Sequence, residues 1–288
     1  EKRYTPAARE GGLMPAAANG DVTLHYPDEG SGPPVLLIHG HTLDRRMWDA
    51  VVPSLLASGR RVLRLDLRGH GLSSRPDFGY HLSHHAGDVA AVLDAAGVGP
   101  VLGVGHSIGG AVILEAAVTM PDRFSGLVLF APVMPERPFE PAFMDTLREV
   151  ARVIRTEGVA AAMEGPWARS PLFEHSFTKA GVREAAAAIT RDFPGAEYLA
   201  TQRDRVERSW SVPDRLEEIS LPTLVAVGGS DMPGFRAYAE EAAAGIPGAD
   251  LEIFEDCGHL LPLEEPERVA ALIIRVGATS RGCQALEI

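Results

Sequence analysis

A serine hydroxyl attacks a carbonyl only when a base takes its proton and the backbone turn that carries it holds it clear of its neighbours. Ser107 has surroundings suited to that chemistry. Gly105-His106-Ser107-Ile108-Gly109-Gly110 follows the apolar run Val101-Leu102-Gly103-Val104 and precedes a helical pattern. A sharp strand-to-helix turn at this point projects the hydroxyl above a sheet edge. Small residues are needed two positions to either side because the backbones converge. The helix N-terminus that follows adds positive dipole beneath a developing oxyanion. By itself the hexapeptide also fits an ordinary Gly-rich turn, so the assignment rests on its partners.

The base for such a serine is a histidine, and that histidine needs an acid on its other ring nitrogen to fix tautomer and orientation. On a strand–turn–helix scaffold the acid follows a later strand and the histidine comes last. Residues 223–227 (TLVAV) lead into Gly228-Gly229-Ser230-Asp231, and residues 251–254 (LEIF) into Glu255-Asp256-Cys257-Gly258-His259. Ser107, Asp231 and His259 are therefore the candidate nucleophile, acid and base, each past the carboxyl end of a strand. The first buried strand ends in His39-Gly40-His41. That places the backbone N–H of His41 beside that of Ile108 as the two donors to an oxyanion. Only the amide of His41 has a role here, and its imidazole reads as a loop side chain.

The elements that must position these residues alternate along the chain. Residues 22–26 alternate apolar and polar side chains and read as an opening antiparallel strand. Residues 34–39 (PVLLIH) are a continuous apolar run, as in a strand buried on both faces; 61–66, 101–105, 127–130, 223–227 and 251–254 look like further strands of that sheet. Amphipathic stretches at 45–57, 83–96, 108–120, 235–244 and 267–276 lie between them. The class is α/β, a mostly parallel central sheet flanked by helices. Residues 132–220 break the alternation with helical stretches at 141–156, 159–163, 179–191 and 196–207, which reads as a helical insertion between late strands.

Composition narrows the partners. The 288 residues are 45% hydrophobic and 6% aromatic, with 27 basic and 39 acidic residues for a net charge of −12. That balance is wrong for nucleic acid and for anionic membranes, and no stretch is long and apolar enough to span a bilayer. Two cysteines, Cys257 and Cys283, cannot make a disulfide framework, though one bridge stays open. Residues 1–12 are charged and lack the apolar core of a signal peptide, which leaves a disordered leader and a non-native extension both open; a cytoplasmic location is the expectation. The oligomeric state stays open.

With these motifs in place the chain resembles the α/β hydrolases, particularly the capped esterase, enol-lactonase and cofactor-free haloperoxidase-like branch. The matching residues are His39-Gly40-His41 with Trp48, Asp66-Leu67-Arg68-Gly69-His70-Gly71-Leu72-Ser73, the hexapeptide around Ser107, Gly228-Gly229-Ser230-Asp231, and Gly258-His259. The resemblance runs from about Gly20 to Gly277 and is weakest in the middle. It implies a core in two parts, 1–131 and 221–288, with 132–220 as a helical cap over the active site. It also implies that the 66–73 turn is structural and His70 not catalytic. Branches with an aspartate nucleophile are disfavoured because position 107 is serine.

The expected function is hydrolysis of a small, largely apolar ester or lactone through an acyl-enzyme, with no cofactor and no metal. Trp167 and Phe143 are the candidate pocket residues among the cap aromatics. Arg169, Arg203, Arg205 and Arg208 are candidates to meet a substrate carboxylate, although solvated surface suits each better. His81, His84, His85 and Asp88 share one helix face at metal-ligand spacing, but that is also an ordinary polar helix start. The same triad would serve carbon–carbon bond hydrolysis, acyl transfer or perhydrolysis, and a non-catalytic small-ligand receptor is the rival of a different class. An oxidoreductase lacks support, because no G-x-G-x-x-G follows a strand.

Overall fold

The computed structural model describes residues 14–202, 208 and 210–282. Strands β1 (Ala16–Asn19) and β2 (Val22–His25) pair antiparallel as a separate two-stranded sheet, with Ala16 opposite His25. The central sheet of the described residues holds β3 (Asp28–Gly30), β4 (Pro34–Ile38), β5 (Arg61–Leu65), β6 (Val101–His106), β7 (Phe124–Phe130), β8 (Thr223–Gly228) and β9 (Asp250–Phe254). Their order is β3-β5-β4-β6-β7-β8-β9. Only β3 runs antiparallel, against β5; every other pairing is parallel.

The helices are α1 (Val52–Ala57), α2 (Leu82–Ala96) and α3 (Ile108–Thr119), then α4 (Pro141–Glu157), α5 (Val159–Ala162), α6 (Val182–Thr190) and α7 (Ala196–Leu199), and lastly α8 (Pro233–Gly245), α9 (Leu261–Glu264) and α10 (Pro266–Gly282). Helices α4 to α7 fall between β7 and β8, so the helical insertion read from sequence is present. The others flank the sheet; α2 packs beside α3, and α1 beside α10.

Burial explains the strand pattern. Val35 to Ile38 of β4 and Thr223 to Gly228 of β8 are buried throughout, which is why these strands read as unbroken apolar runs. The edge strand β9 exposes Asp250 and Leu251 instead. Helix α3 is buried almost all round, so it has no polar stripe. Its one carboxylate, Glu115, is buried and receives both hydrogen bonds from Nη1 of Arg208, each 2.7 Å. A carboxylate in that position has to be paired.

Several boundaries differ from expectation for local reasons. The strand at 22–26 is antiparallel, but it pairs with β1; the antiparallel edge of the main sheet is β3, which follows the interruption at Pro27. The stretch at 45–57 is two pieces, a 3₁₀ turn (Arg45–Trp48) capped by Asp44 and then α1. Pro53 can occupy only the first turn of a new helix, since it has no N–H to continue the old one. Gly181, with φ 79°, stops the backbone before α6, so that helix begins at Val182 rather than 179. Helix α7 ends at Leu199; residues 203–207 of the expected longer helix lie outside the described residues, as do 1–12 and Cys283.

Strand β4 has β5 on one side and β6 on the other, so chain order reverses between β4 and β6. In open α/β sheets the crevice at the carboxyl ends of such a pair is where ligands bind.

Candidate active site

Ser107 is the residue after β6 and has φ 55°, ψ −118°, a conformation that side chains other than glycine seldom adopt. Main-chain bonds hold it there. Its N–H donates to the Phe130 carbonyl (2.9 Å), and its own carbonyl accepts from Gly110 N–H (2.9 Å) and Val133 N–H (3.0 Å). A Cβ at Gly105 would overlap the Gly109 carbonyl, and one at Gly109 would lie 2.5 Å from the Ile38 carbonyl. The glycines therefore let three backbones converge beneath the serine. Thr42, in the loop after β4, is also left-handed at φ 62°, unusual for a β-branched residue.

Asp231 and His259 form a buried pair. Nδ1–H of His259 donates to Oδ2 of Asp231 at 2.8 Å, since a carboxylate can only accept. Asp231 Oδ1 takes the Met232 N–H at 2.7 Å. The two loops are stitched together by Ser230 N–H to the Cys257 carbonyl and Gly229 N–H to the Phe254 carbonyl, both 2.9 Å. His106 donates Nε2–H to the His259 carbonyl (2.8 Å), and the Phe235 ring meets the His259 ring at 4.4 Å between centroids. Burial holds the His106 imidazole well below its ordinary pKa, so it stays neutral in this role.

A further carboxylate brackets His259. Glu264 accepts Gly258 N–H on Oε2 (2.8 Å) and Leu260 N–H on Oε1 (2.9 Å), one amide from each side of the histidine. The hydroxyl of Ser176, from the insertion, donates to the same Oε1 at 2.6 Å. Both residues are buried. Nearby, Lys179 Nζ reaches Glu265 (2.9 Å) and the free, buried thiol of Cys257 (3.3 Å).

Ser107, Ile108, His259 and His41 open on one cavity of about 210 Å³, which Phe143 and Trp167 also line. The backbone N–H groups of His41 and Ile108 are not paired with an acceptor among the described residues. Phe139, Phe143, Leu147, Leu172, Phe173 and Trp167 make most of the insertion's share of the wall apolar. Phe143 and Trp167 are 5% and 2% exposed, so each belongs to the insertion's packing as well as to the cavity. Trp167 also walls a neighbouring cavity of about 110 Å³.

The imidazole of His41 is engaged. It faces Glu197 through Nδ1 (3.3 Å) and the Tyr198 hydroxyl through Nε2 (2.8 Å), and its ring lies edge-on to Trp167 and Phe193. Glu197 and Tyr198 line the same cavity.

The weaker candidates are occupied elsewhere. Asp88 accepts from Arg68 Nε and Nη2, each 2.6 Å, and from Asn19 Nδ2 at 2.9 Å. His81 caps α2 through Ser83 N–H, and burial, aided by the Arg68 charge, pushes His85 down to about 3. No cluster of three or more His, Cys, Asp or Glu suited to a metal ion occurs among the described residues. Arg208 is held by Glu115 and Glu136, and Arg169 lines a surface groove with Glu174 and Arg183, so neither faces the cavity. Arg203 and Arg205 lie outside the described residues. His70 is buried, with Nδ1 donating to the Arg68 carbonyl (3.1 Å), and Asp66 ties Arg45 and Leu72 into the turn.

Sequence reasoning missed Glu264, Ser176 and Glu197, while Tyr198 counts there only as one of the insertion's aromatic side chains. For Glu264 a signal exists, an acid five residues past His259 within a Pro-bounded short helix. For Ser176 and Glu197 nothing local distinguishes them from surface residues of a helical region.

Comparison with known proteins finds relatives of the same family and fold. The sequence pattern described as the alpha/beta hydrolase family matches residues 35–272. A non-heme haloperoxidase of Rhodococcus erythropolis is 27% identical over 261 residues, covering 85% of this chain and 93% of that protein. The structure of Est816, described as an N-acyl homoserine lactone degrading enzyme, superposes with a TM-score of 0.73 at 29% identity, covering 90% of this chain and 98% of that one. A thermophilic esterase from Thermogutta terrifontis superposes equally well, with a TM-score of 0.73 at 29% identity over 93% of this chain and 99% of its own. No helix among the described residues is long and apolar enough to cross a membrane.

Proposed function

The chain belongs to the alpha/beta hydrolase family, in its esterase and haloperoxidase-like branch, and from that premise we propose a serine hydrolase that cleaves a small carboxylic ester or lactone. One observation carries the reading: His259, paired with buried Asp231, opens on the same cavity as a conformationally constrained Ser107.

Ser107 Oγ attacks the substrate carbonyl while Nε2 of His259 takes its proton. Asp231 supports the resulting imidazolium and keeps the free nitrogen turned towards the serine. The amides of His41 and Ile108 hold the oxyanion, with the α3 N-terminus behind them. Collapse of the tetrahedral species breaks the bond between the acyl carbon and the alkoxy oxygen, and the imidazolium protonates that departing oxygen. Water, deprotonated by His259, then attacks the acyl-enzyme and releases the acid and the free serine. Residues 132–220 act as a cap whose apolar wall takes the substrate's apolar limb.

Lactone hydrolysis draws support from Est816, which degrades N-acyl homoserine lactones. Perhydrolysis is the second reading, favoured by the likeness to the haloperoxidase. Both share the acyl-enzyme and differ in the acceptor. Product analysis with a small ester and a lactone panel, offering water, ethanol and hydrogen peroxide together, is the test. Free acid as the main product supports hydrolysis. Peracid or ethyl ester in excess would reassign the second half-reaction, and no turnover of any ester or lactone would remove the proposal.

A further inference from the structure

The cavity that holds Ser107 and His259 has a neighbour. This second cavity, of about 110 Å³ against about 210 Å³ for the first, is lined by Ala160, Met163, Phe177, Ala186 and Ala187, which do not line the first. Leu43, Trp167, Phe173 and Leu260 line both, and all four are buried. Side chains that border two cavities make a wall one residue thick. This wall stands beside the chemistry, since Leu43 lies two residues past His41 and Leu260 directly follows His259. The charged residues that line the second cavity, Glu164, Arg183 and Arg191, are exposed. Charge therefore stays at the outer rim, and the shared wall is apolar.

Packing, not polar bonding, holds the wall. The Trp167 indole N–H is buried and has no acceptor among the described residues. Its ring meets Phe173 at 5.2 Å and His41 at 5.5 Å between centroids, edge-on in both cases. Moving the indole aside therefore breaks no side-chain hydrogen bond. The backbone that carries it is irregular as well. Trp167 closes the turn Met163–Trp167, in which Gly165 leaves helical geometry (φ −95°, ψ −109°) and Pro166 has no N–H to donate. A shift of Trp167 strains no regular helix.

We propose that Trp167 and Phe173 are a partition that yields to substrate, and that the second cavity is the subsite for the far end of a long, linear apolar limb. The proposal rests on the serine-hydrolase reading of the first cavity. It narrows that reading to esters or lactones that carry an extended alkyl limb. Each methylene that leaves water for the second cavity should add up to about fourfold to kcat/KM. A short limb stays in the first cavity and gains nothing from the second.

The test uses two series of linear esters followed by acid release at constant pH. Methyl butyrate to methyl decanoate lengthens the acyl limb, and butyl acetate to decyl acetate lengthens the alcohol limb. In at least one series wild-type kcat/KM should rise with length. In that series Ala186→Leu, which places a larger side chain in the second cavity only, should lower kcat/KM for the longest ester by about tenfold and leave the shortest within about twofold. Ala187→Leu, at an exposed position of the same helix, repeats the test should Ala186→Leu melt early. A wild type that prefers the shortest ester in both series would overturn the subsite. So would folded filling variants that spare the longest ester or lower all esters alike. Fluorophosphonate labelling of Ser107 is run alongside. Wild-type protein that fails to label removes the underlying hydrolase reading; labelling without a preference for the long limb removes the subsite alone.

Discussion

At the sheet edge, Ser107, Asp231 and His259 follow closely on the ends of β6, β8 and β9, and main-chain hydrogen bonds fix their loops. The helical insertion reaches the same cavity by other means. Phe143, Trp167 and Phe173 come from separate elements and are placed by ring-on-ring packing, Phe143 against Trp167 at 6.3 Å and Trp167 against Phe173 at 5.2 Å between centroids. Turn geometry tolerates few residue types and little displacement. Aromatic packing tolerates many substitutions of similar volume. Under the proposed function the reaction belongs to the edge and the choice of substrate to the insertion, and Ser176 is one of the places where the two meet.

The largest effect should come from the edge. Asp231→Asn leaves the shape of the pair but lets the imidazole settle in the wrong tautomer, so turnover should fall by up to roughly 10⁴-fold on every ester alike. Circular dichroism should show the fold intact. A loss confined to long-chain esters would mean that Asp231 shapes the pocket rather than the chemistry.

Glu264→Gln probes the junction. A carboxylate accepts from both amides that flank His259, whereas one end of a carboxamide is a donor, and a donor facing Gly258 or Leu260 would push that loop out of place. Displacement of the base by a fraction of an ångström should cost on the order of 10- to 100-fold in kcat, with KM on ethyl acetate little changed. Ser176→Ala should show a smaller loss of the same kind. If Ser176→Ala instead alters only chain-length preference, the insertion has no hand in the chemistry and the two regions are more separate than drawn here.

The smallest effects belong to the insertion wall. Phe143→Leu and Trp167→Phe should shift the ratio of octanoate to butyrate ester hydrolysis by about tenfold, while acetate ester turnover stays near wild type. Because both side chains are buried, melting temperature has to be measured with the kinetics. A uniform loss on all three esters with a lowered melting temperature would place them in the packing of the insertion only.

The same contrast explains what could be read in advance. Ser107, Asp231 and His259 were legible because each belongs to a strand–turn pattern a few residues long, and the buried strands because both faces are covered. The order of the strands was not legible, because which strands pair is a long-range property that no short pattern carries. Local periodicity cannot show that Pro53 splits one helix into a turn and α1, that Gly181 delays α6, or that β2 pairs with β1. Glu197 and Tyr198 meet His41, more than 150 residues earlier in the chain, and no window of sequence contains that contact. Ser176 and Glu264 are likewise 88 residues apart.

The proposed mechanism requires that Ser107 be an activated nucleophile. A fluorophosphonate reacts with a serine whose proton is taken by a neighbouring base, and the adduct then resembles the tetrahedral state that the oxyanion donors hold. Mass spectrometry of the digested, labelled protein should find a single adduct, on the peptide containing Gly105-His106-Ser107-Ile108-Gly109. Ser107→Ala, still folded, should lose both labelling and ester turnover. An adduct on a different residue, or undiminished turnover from folded Ser107→Ala, would contradict the mechanism and leave only the fold in place.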